Sequence, residues 1–178
     1  MKKIILGISS SIAAYKACDL IRLFVKGGSS VHVVATENAL NLVSPLTLET
    51  LSGNPVYSEQ YSRERREMGH IELKTGASLF LVAPATANII GKFAAGIADD
   101  LLSTTFLSVT CPVMIAPAMN PNMYRHPAVG ENIAKLKAWG IRFIEPGEGP
   151  VVCGDEGAGR LADIELIYRT ATDAASGA

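Results

Sequence analysis

Between Lys3 and Thr36 the chain passes from strand to helix to strand, a βαβ unit of the usual length of about 30 residues. This unit restricts the fold more than any other feature of the sequence. Lys3–Gly7 is a short apolar strand, and Ser9-Ser10-Ser11 is a turn. From Ile12 to Lys26 the pattern becomes helical, with Ala13, Ala17, Leu20, Ile21 and Phe24 on one face and Lys16, Asp19, Arg22 and Lys26 on another. Gly27-Gly28 stops the helix, and the Val-rich segment Ser30–Thr36 supplies the second strand. Two strands joined through a helix pair in parallel, so a parallel sheet covered by helices is expected.

The rest of the chain repeats the alternation. Helical pieces are expected over Glu37–Val43 and, after Pro45, over Leu46–Leu51, closed by Ser52-Gly53-Asn54-Pro55. Residues 56–69 are polar and irregular, and His70-Ile71-Glu72-Leu73 follows as an alternation of polar and apolar residues. Leu79–Val82 predicts a strand ending at Ala83-Pro84. Thr86–Ala95 and Asp99–Ser108 predict helices split by Gly96. Pro112–Ala116 is another apolar strand, which empties into the stiff Pro117–Pro121 turn. Pro127 opens a helix ended by Gly140, and Ile141–Ile144 is the last strand. Glu145–Arg160, with its glycines and prolines, reads as a mobile loop, Asp163–Thr172 as a terminal helix, and 173–178 as a frayed tail. The expected fold is α/β: a single, doubly wound, Rossmann-like parallel sheet with helices on both faces, in one domain over residues 1–178.

Composition narrows the function. The chain is 48% hydrophobic with a net charge of −1, so nothing in it is basic enough to suggest nucleic acid. No apolar run reaches the roughly 18 residues of a membrane span. Three widely spaced cysteines, Cys18, Cys111 and Cys153, form neither a disulfide framework nor a metal pattern. A cytoplasmic, metal-free protein with no membrane or nucleic-acid partner is expected.

Chemistry is expected in the loops beyond the carboxyl ends of the strands, where open parallel sheets bind ligands. Gly7-Ile8-Ser9-Ser10-Ser11 joins the first strand to a helix, so hydroxyls and backbone N–H groups there suit one phosphate, or a simple N-cap. Ala83-Pro84-Ala85-Thr86-Ala87-Asn88 combines small residues, which permit approach by a flat ligand, with Thr86 and Asn88 as hydrogen-bonding groups. Thr86 could equally be a helix cap. Asp99-Asp100 reads as a helix start and not a metal pair. Ala118-Met119-Asn120 is bracketed by two prolines, His70 stands alone, and Cys153 lies in a Gly-rich loop near Asp155 and Arg160.

Several blocks follow one another in a familiar order: Gly7–Lys16, Ser44–Val56, Gly69–Leu73, Ala83–Asn88, Gly96–Leu102, the P-x-M-N-x-x-M segment Pro117–Met123, and Cys153-Gly154-Asp155 with Gly157, Gly159 and Arg160. Over residues 3 to 163 the chain resembles the homo-oligomeric flavin-containing cysteine decarboxylases, on their phosphopantothenoylcysteine decarboxylase branch. Tyr124 stands where that family usually has Trp, Lys74-Thr75-Gly76 replaces a more usual Arg/Trp-containing stretch, and the first turn is richer in Ser.

The resemblance implies bound FMN, with its phosphate at Ser9, Ser10 and Ser11, and further contacts from Gly7, Thr36, Ala83, Pro84, Thr86, Ala87, Asn88, Ala118 and Met119. It implies a homo-trimer or higher assembly with sites between subunits. His70, Asn120 and Cys153 match the family's functional positions. The implied activity converts phosphopantothenoylcysteine to phosphopantetheine, in a stand-alone enzyme or in a domain of a decarboxylase–ligase. Peptidyl-cysteine decarboxylase, a flavin prenyltransferase of related fold, a non-catalytic flavin-binding regulatory subunit, and an NAD-binding module are the competing readings.

Overall fold

The computed structural model describes residues 1–59, 69–150 and 156–177. Five parallel strands form the main sheet in the order β2-β1-β3-β4-β5. They are β1 (Lys3–Ile8), β2 (Ser30–Ala35), β3 (Ala77–Ala85), β4 (Val113–Pro117) and β5 (Arg142–Phe143). The chain leaves β1 toward β2, crosses back to β3, and continues to β4 and β5. The direction of winding therefore reverses between β1 and β3, the place where a doubly wound sheet opens a crevice.

Two buried clusters cover the faces of this sheet. Ile4, Leu6 and Ile8 of β1 point into one, with Val31 and Val33 of β2. That cluster is closed by α1 (Ala17–Lys26), α3 (Pro45–Ser52) and α9 (Ile164–Ser176). Ile5 of β1 and Phe80 and Val82 of β3 point the other way, beneath α5 (Ala87–Ala95), α6 (Leu101–Ser108) and α8 (Pro127–Ala138). The strands carry apolar residues on both sides because both sides are covered. Gly7 belongs to this packing: a Cβ there would lie 2.7 Å from Leu102 Cδ1, so its absence lets α6 approach the sheet.

Several expectations change. The helix expected over Ile12–Lys26 begins as a 3-10 turn, Ile12–Lys16, capped by Ser11, and becomes α1 only at Ala17. The second helix, α2 (Glu37–Leu40), is a single turn. His70-Ile71-Glu72-Leu73, for which the alternation predicts no element, belongs to α4 (Gly69–Lys74). A five-residue helix, α7 (Pro121–Arg125), stands inside the turn after β4. The glycine-rich segment expected to be a mobile loop contains an antiparallel hairpin of β6 (Gly147–Pro150) and β7 (Glu156–Arg160). The final helix runs on through Asp173 to Ser176, with Ala174 and Ala175 buried, where a frayed tail is expected.

Candidate functional site

The carboxyl edge of the sheet is stitched into a continuous rim. Thr36 N–H donates to Ile8 C=O at 2.9 Å, joining the ends of β2 and β1. The buried Ser9 hydroxyl donates to Pro84 C=O at 2.8 Å and accepts from Thr86 N–H at 2.9 Å, joining β1 to β3 at the point where winding reverses. Ala118 N–H donates to Ala85 C=O at 2.9 Å, joining β3 to β4. Met119 N–H donates to Gly159 C=O at 2.9 Å, so the rim ends on the hairpin. Each bond satisfies a backbone group that a strand end would otherwise leave without a partner.

The rim side chains divide into those already occupied and those that present polar groups outward. Thr36, Thr86 and Asn120 cap α2, α5 and α7, accepting from Ala39, Ile89 and Asn122 N–H respectively. Ser11 accepts from Ala13 N–H at 3.3 Å. Ser10 and Asn88 are exposed. The peptide between Ala83 and Pro84 is cis. Ala83 and Ala118 are only 1% and 3% exposed and lie in the core beneath the rim. With Gly7 they shape the rim from below, and their side chains have no surface to offer a ligand. Met119 and Ala87 are half-buried along the rim.

Asn120 is fixed from both sides. Its Oδ1 accepts from Asn122 N–H at 2.7 Å, which commits the carbonyl oxygen of the amide to α7. Behind it, β7 lies close enough that a Cβ on Gly159 would sit 2.4 Å from Met119 C=O, and one on Gly157 would sit 2.8 Å from an Arg125 guanidinium nitrogen. The Arg125 guanidinium donates to Asn122 Oδ1 at 2.6 Å. The glycines of this segment are therefore contact residues on which α7 rests.

A second network stands at the far end of α7. The Tyr124 hydroxyl donates to Glu145 Oε2 at 2.8 Å, and Lys137 Nζ meets Glu145 Oε1 at 2.7 Å. Burial and the neighbouring Glu145 carboxylate push the Tyr124 phenol well above its usual range. Lys137 holds the Glu145 carboxyl below the ordinary carboxylate value against a smaller effect of burial, and the Tyr124 hydroxyl adds to the lowering.

His70 stands at the start of α4. Its helix α4 ends beside the start of β1, where Lys3 Nζ donates to Glu72 C=O at 2.6 Å and Thr75 C=O at 3.0 Å. Glu72 accepts from the Tyr57 hydroxyl at 2.5 Å, a second anchor for α4. His70 Nδ1 is buried without a hydrogen-bond partner among the described residues, an arrangement that costs free energy unless something supplies the partner. Cys153 lies outside the described residues, in the connection from β6 to β7.

Asp99 and Asp100 behave as the helix start expected of them. Asp100 Oδ1 accepts from Ser103 N–H at 2.7 Å in a capping box, and both carboxylates meet Lys92 Nζ at 2.7 Å. No cluster of metal-ligating side chains occurs among the described residues, and none of their helices is long and apolar enough to cross a membrane.

The profile of the Flavoprotein family matches residues 1–176. The chain belongs to that family. Among its relatives is the coenzyme A biosynthesis bifunctional protein CoaBC of Bacillus subtilis (strain 168), 48% identical over 171 residues. The match covers 96% of this chain and 42% of the relative, so the chain spans less than half of that protein. Two solved structures share the fold over nearly their whole length. A PPC decarboxylase mutant complexed with pantothenoylaminoethenethiol aligns with a TM-score of 0.84 at 30% identity, covering 95% of each chain. The FMN-dependent cysteine decarboxylase SpaF aligns with a TM-score of 0.85 at 29% identity, covering 99% of this flavoprotein-family chain and 98% of its own.

The first serine turn, the Thr86–Asn88 segment and Asn120 are legible as site candidates in the sequence. The hairpin's contact with Met119 and the Tyr124–Glu145 bond are not. The only hint of the hairpin is the spacing of Gly157 and Gly159, and nothing local connects Tyr124 with a carboxylate 21 positions away.

Proposed function

We propose that this chain is an FMN-dependent decarboxylase that converts phosphopantothenoylcysteine to phosphopantetheine in coenzyme A biosynthesis. The observation that carries the reading is the 48% identity to a CoaBC protein over 96% of the chain. The rim is compatible with FMN. Small residues line the crevice between β1 and β3, Ser10 and Asn88 present polar groups outward, and the first turn follows the strand end where phosphate groups sit.

When bound, FMN supplies the electron acceptor that lets a substrate thiol be oxidised, and with it the electron sink that a simple cysteine carboxylate lacks. The protein's part is to bind, orient and move protons. Ser10 and Ser11 hold the cofactor phosphate, while Thr36, Ala87, Asn88 and the backbone of Ala118 and Met119 flank the rest of it. The Asn120 NH₂ donates to the substrate carboxylate, because its carbonyl oxygen is committed to α7. His70 accepts or orients the thiol proton. Its buried Nδ1, without a partner among the described residues, is consistent with a homo-trimer in which His70 of one copy completes the site of another. Cys153, between β6 and β7 in the sequence, delivers a proton to the substrate carbon.

The test is to load the purified chain with FMN and supply phosphopantothenoylcysteine or a peptide ending in cysteine. Release of CO₂ with phosphopantetheine from the first substrate alone supports the reading. Turnover confined to the peptide overturns it in favour of a peptidyl-cysteine decarboxylase, and flavin binding with no turnover of either overturns it in favour of a regulatory subunit.

A further inference from the structure

We infer that Tyr124 is a positioning residue for Asn120, acting through Glu145; the inference rests on the reading of Asn120 as the group that binds the substrate carboxylate. A helix as short as α7 has little stability of its own. Its first residue is capped by Asn120, and Tyr124 N–H closes its only full turn by donating to Asn120 C=O at 3.0 Å. The direction of the Asn120 amide therefore depends on what holds the other end of α7. That end is tied by the Tyr124 hydroxyl to Glu145 at 2.8 Å, two positions before β6 begins.

The same Glu145 carboxylate accepts from Lys137 at 2.7 Å, near the end of α8, so three segments meet at one group. At this same end of the hairpin, where Gly147 pairs with Arg160, β7 returns to the Asn120 loop through the Met119–Gly159 bond. Tyr124 and Glu145 thus close a ring: Asn120, α7, Glu145, β6, β7, Met119. Opening the ring at Tyr124 removes no group of Asn120 or of the rim, but lets α7 turn relative to the hairpin and so loosens the Met119–Gly159 bond. Such a loss appears in the reacting geometry, because small misplacements of an orienting group act on the rate. A phenylalanine at this position keeps the ring packed against the buried cluster under α5, α6 and α8, and removes only the hydroxyl.

The test uses the FMN-loaded protein and four variants: Tyr124→Phe, Glu145→Ala, Glu145→Gln and the double variant Tyr124→Phe/Glu145→Ala. Tyr124→Phe and Glu145→Ala are each expected to lower kcat about fivefold, the scale of one partly exposed hydrogen bond to a charged group, with KM and FMN affinity unchanged. The double variant should be no slower than either alone, since both open the same bond. Glu145→Gln keeps an acceptor for the tyrosine and should retain most of the wild-type kcat, although it loses the charge that Lys137 meets. Hydrogen exchange gives a readout that does not depend on turnover: the amides of Met119 and Tyr124 should exchange faster in Tyr124→Phe than in the wild type. Wild-type kcat with unchanged exchange overturns the inference, as does a fully additive double variant or a Glu145→Gln as slow as Glu145→Ala. A wild type that does not act on phosphopantothenoylcysteine would overturn the proposed function instead, while the exchange of these two amides would still report on the ring.

Discussion

Asn120 shows how one side chain can serve structure and chemistry together. Its carbonyl oxygen caps α7, and in the proposed reaction its NH₂ donates to the substrate carboxylate. Asn120→Asp keeps the cap, since aspartate accepts from N2 or N3 amides as well as asparagine does, but replaces the donor by a negative charge. In the proposed reaction this removes a hydrogen bond to a charged group, about 1.5–3 kcal/mol, or roughly 10- to 160-fold in rate, and adds repulsion. The expected outcome is a loss of at least that size in kcat/KM with FMN binding retained, measured by turnover and by flavin absorbance of the purified protein. Normal turnover would remove Asn120 from the site. The residue was visible in the sequence because Pro117 and Pro121 bracket it. Its partner Tyr124–Glu145 was not, because a bond between residues on different elements leaves no local pattern.

At the level of elements, legibility followed local chemistry. The caps Thr86 and Asp100 and the stop at Gly96 were readable because a cap is a short-range hydrogen bond. Gly96 takes a φ of +69° at the end of α5, as a left-handed helix end favours. The β6–β7 hairpin was not readable, because its strands contain glycines where an alternating apolar pattern would otherwise reveal them. Those glycines answer to the Asn120 loop. Gly159→Ala would put a methyl 2.4 Å from a backbone carbonyl, where no side chain can yield. It should detach the hairpin from the loop, lower activity well over tenfold in the proposed reaction, and speed exchange of the Met119 amide while α1 and α9 amides stay protected. Wild-type activity in this variant would mean that the hairpin does not need the contact.

The start of α6 gives a prediction that is independent of function. Burial pushes the Asp100 carboxyl up, but Lys92 and the Ser103 donors outweigh it and hold the group below its ordinary value. A carboxyl lowered on folding contributes stability that is present above its unfolded pKa of about 3.9 and is lost as pH falls through the folded value. Asp100→Asn keeps a capping oxygen and removes the charge. The wild type should be more stable than the variant at pH 7 by about 1 kcal/mol, allowing for solvent screening of a partly exposed pair. The two should converge as pH falls below about 4. Urea unfolding of both proteins at pH 7 and pH 3 measures the difference, and a gap that persisted at low pH would assign it to the cap geometry and not to the charge.

On the scale of the whole molecule, the sheet order and the two-faced burial follow from the strand–helix alternation, which is why the α/β class was legible from the first 36 residues. Assembly is a different matter, because a surface that meets another copy looks in sequence like any apolar position on an amphipathic element. Large apolar side chains stand exposed in the connections after the neighbouring strands β1 and β2: Ile12 at 64%, Tyr15 at 59%, Leu42 at 44% and Leu46 at 72%. In the proposed trimer they are the natural contact, since they flank the rim that His70 of another copy must reach. Sedimentation of the FMN-loaded protein should give three times the 18.8 kDa chain mass, or a multiple of it. A Leu46→Glu/Ile12→Glu variant should sediment as the single chain. Each chain keeps its own core, because these side chains contribute little to it, so far-ultraviolet dichroism should be unchanged. Activity should fall together with the trimer, because each separated chain keeps a rim but loses access to a second copy's His70. A variant that sedimented as a monomer and still turned over substrate at the wild-type rate would place every catalytic group within one chain and end the shared-site reading.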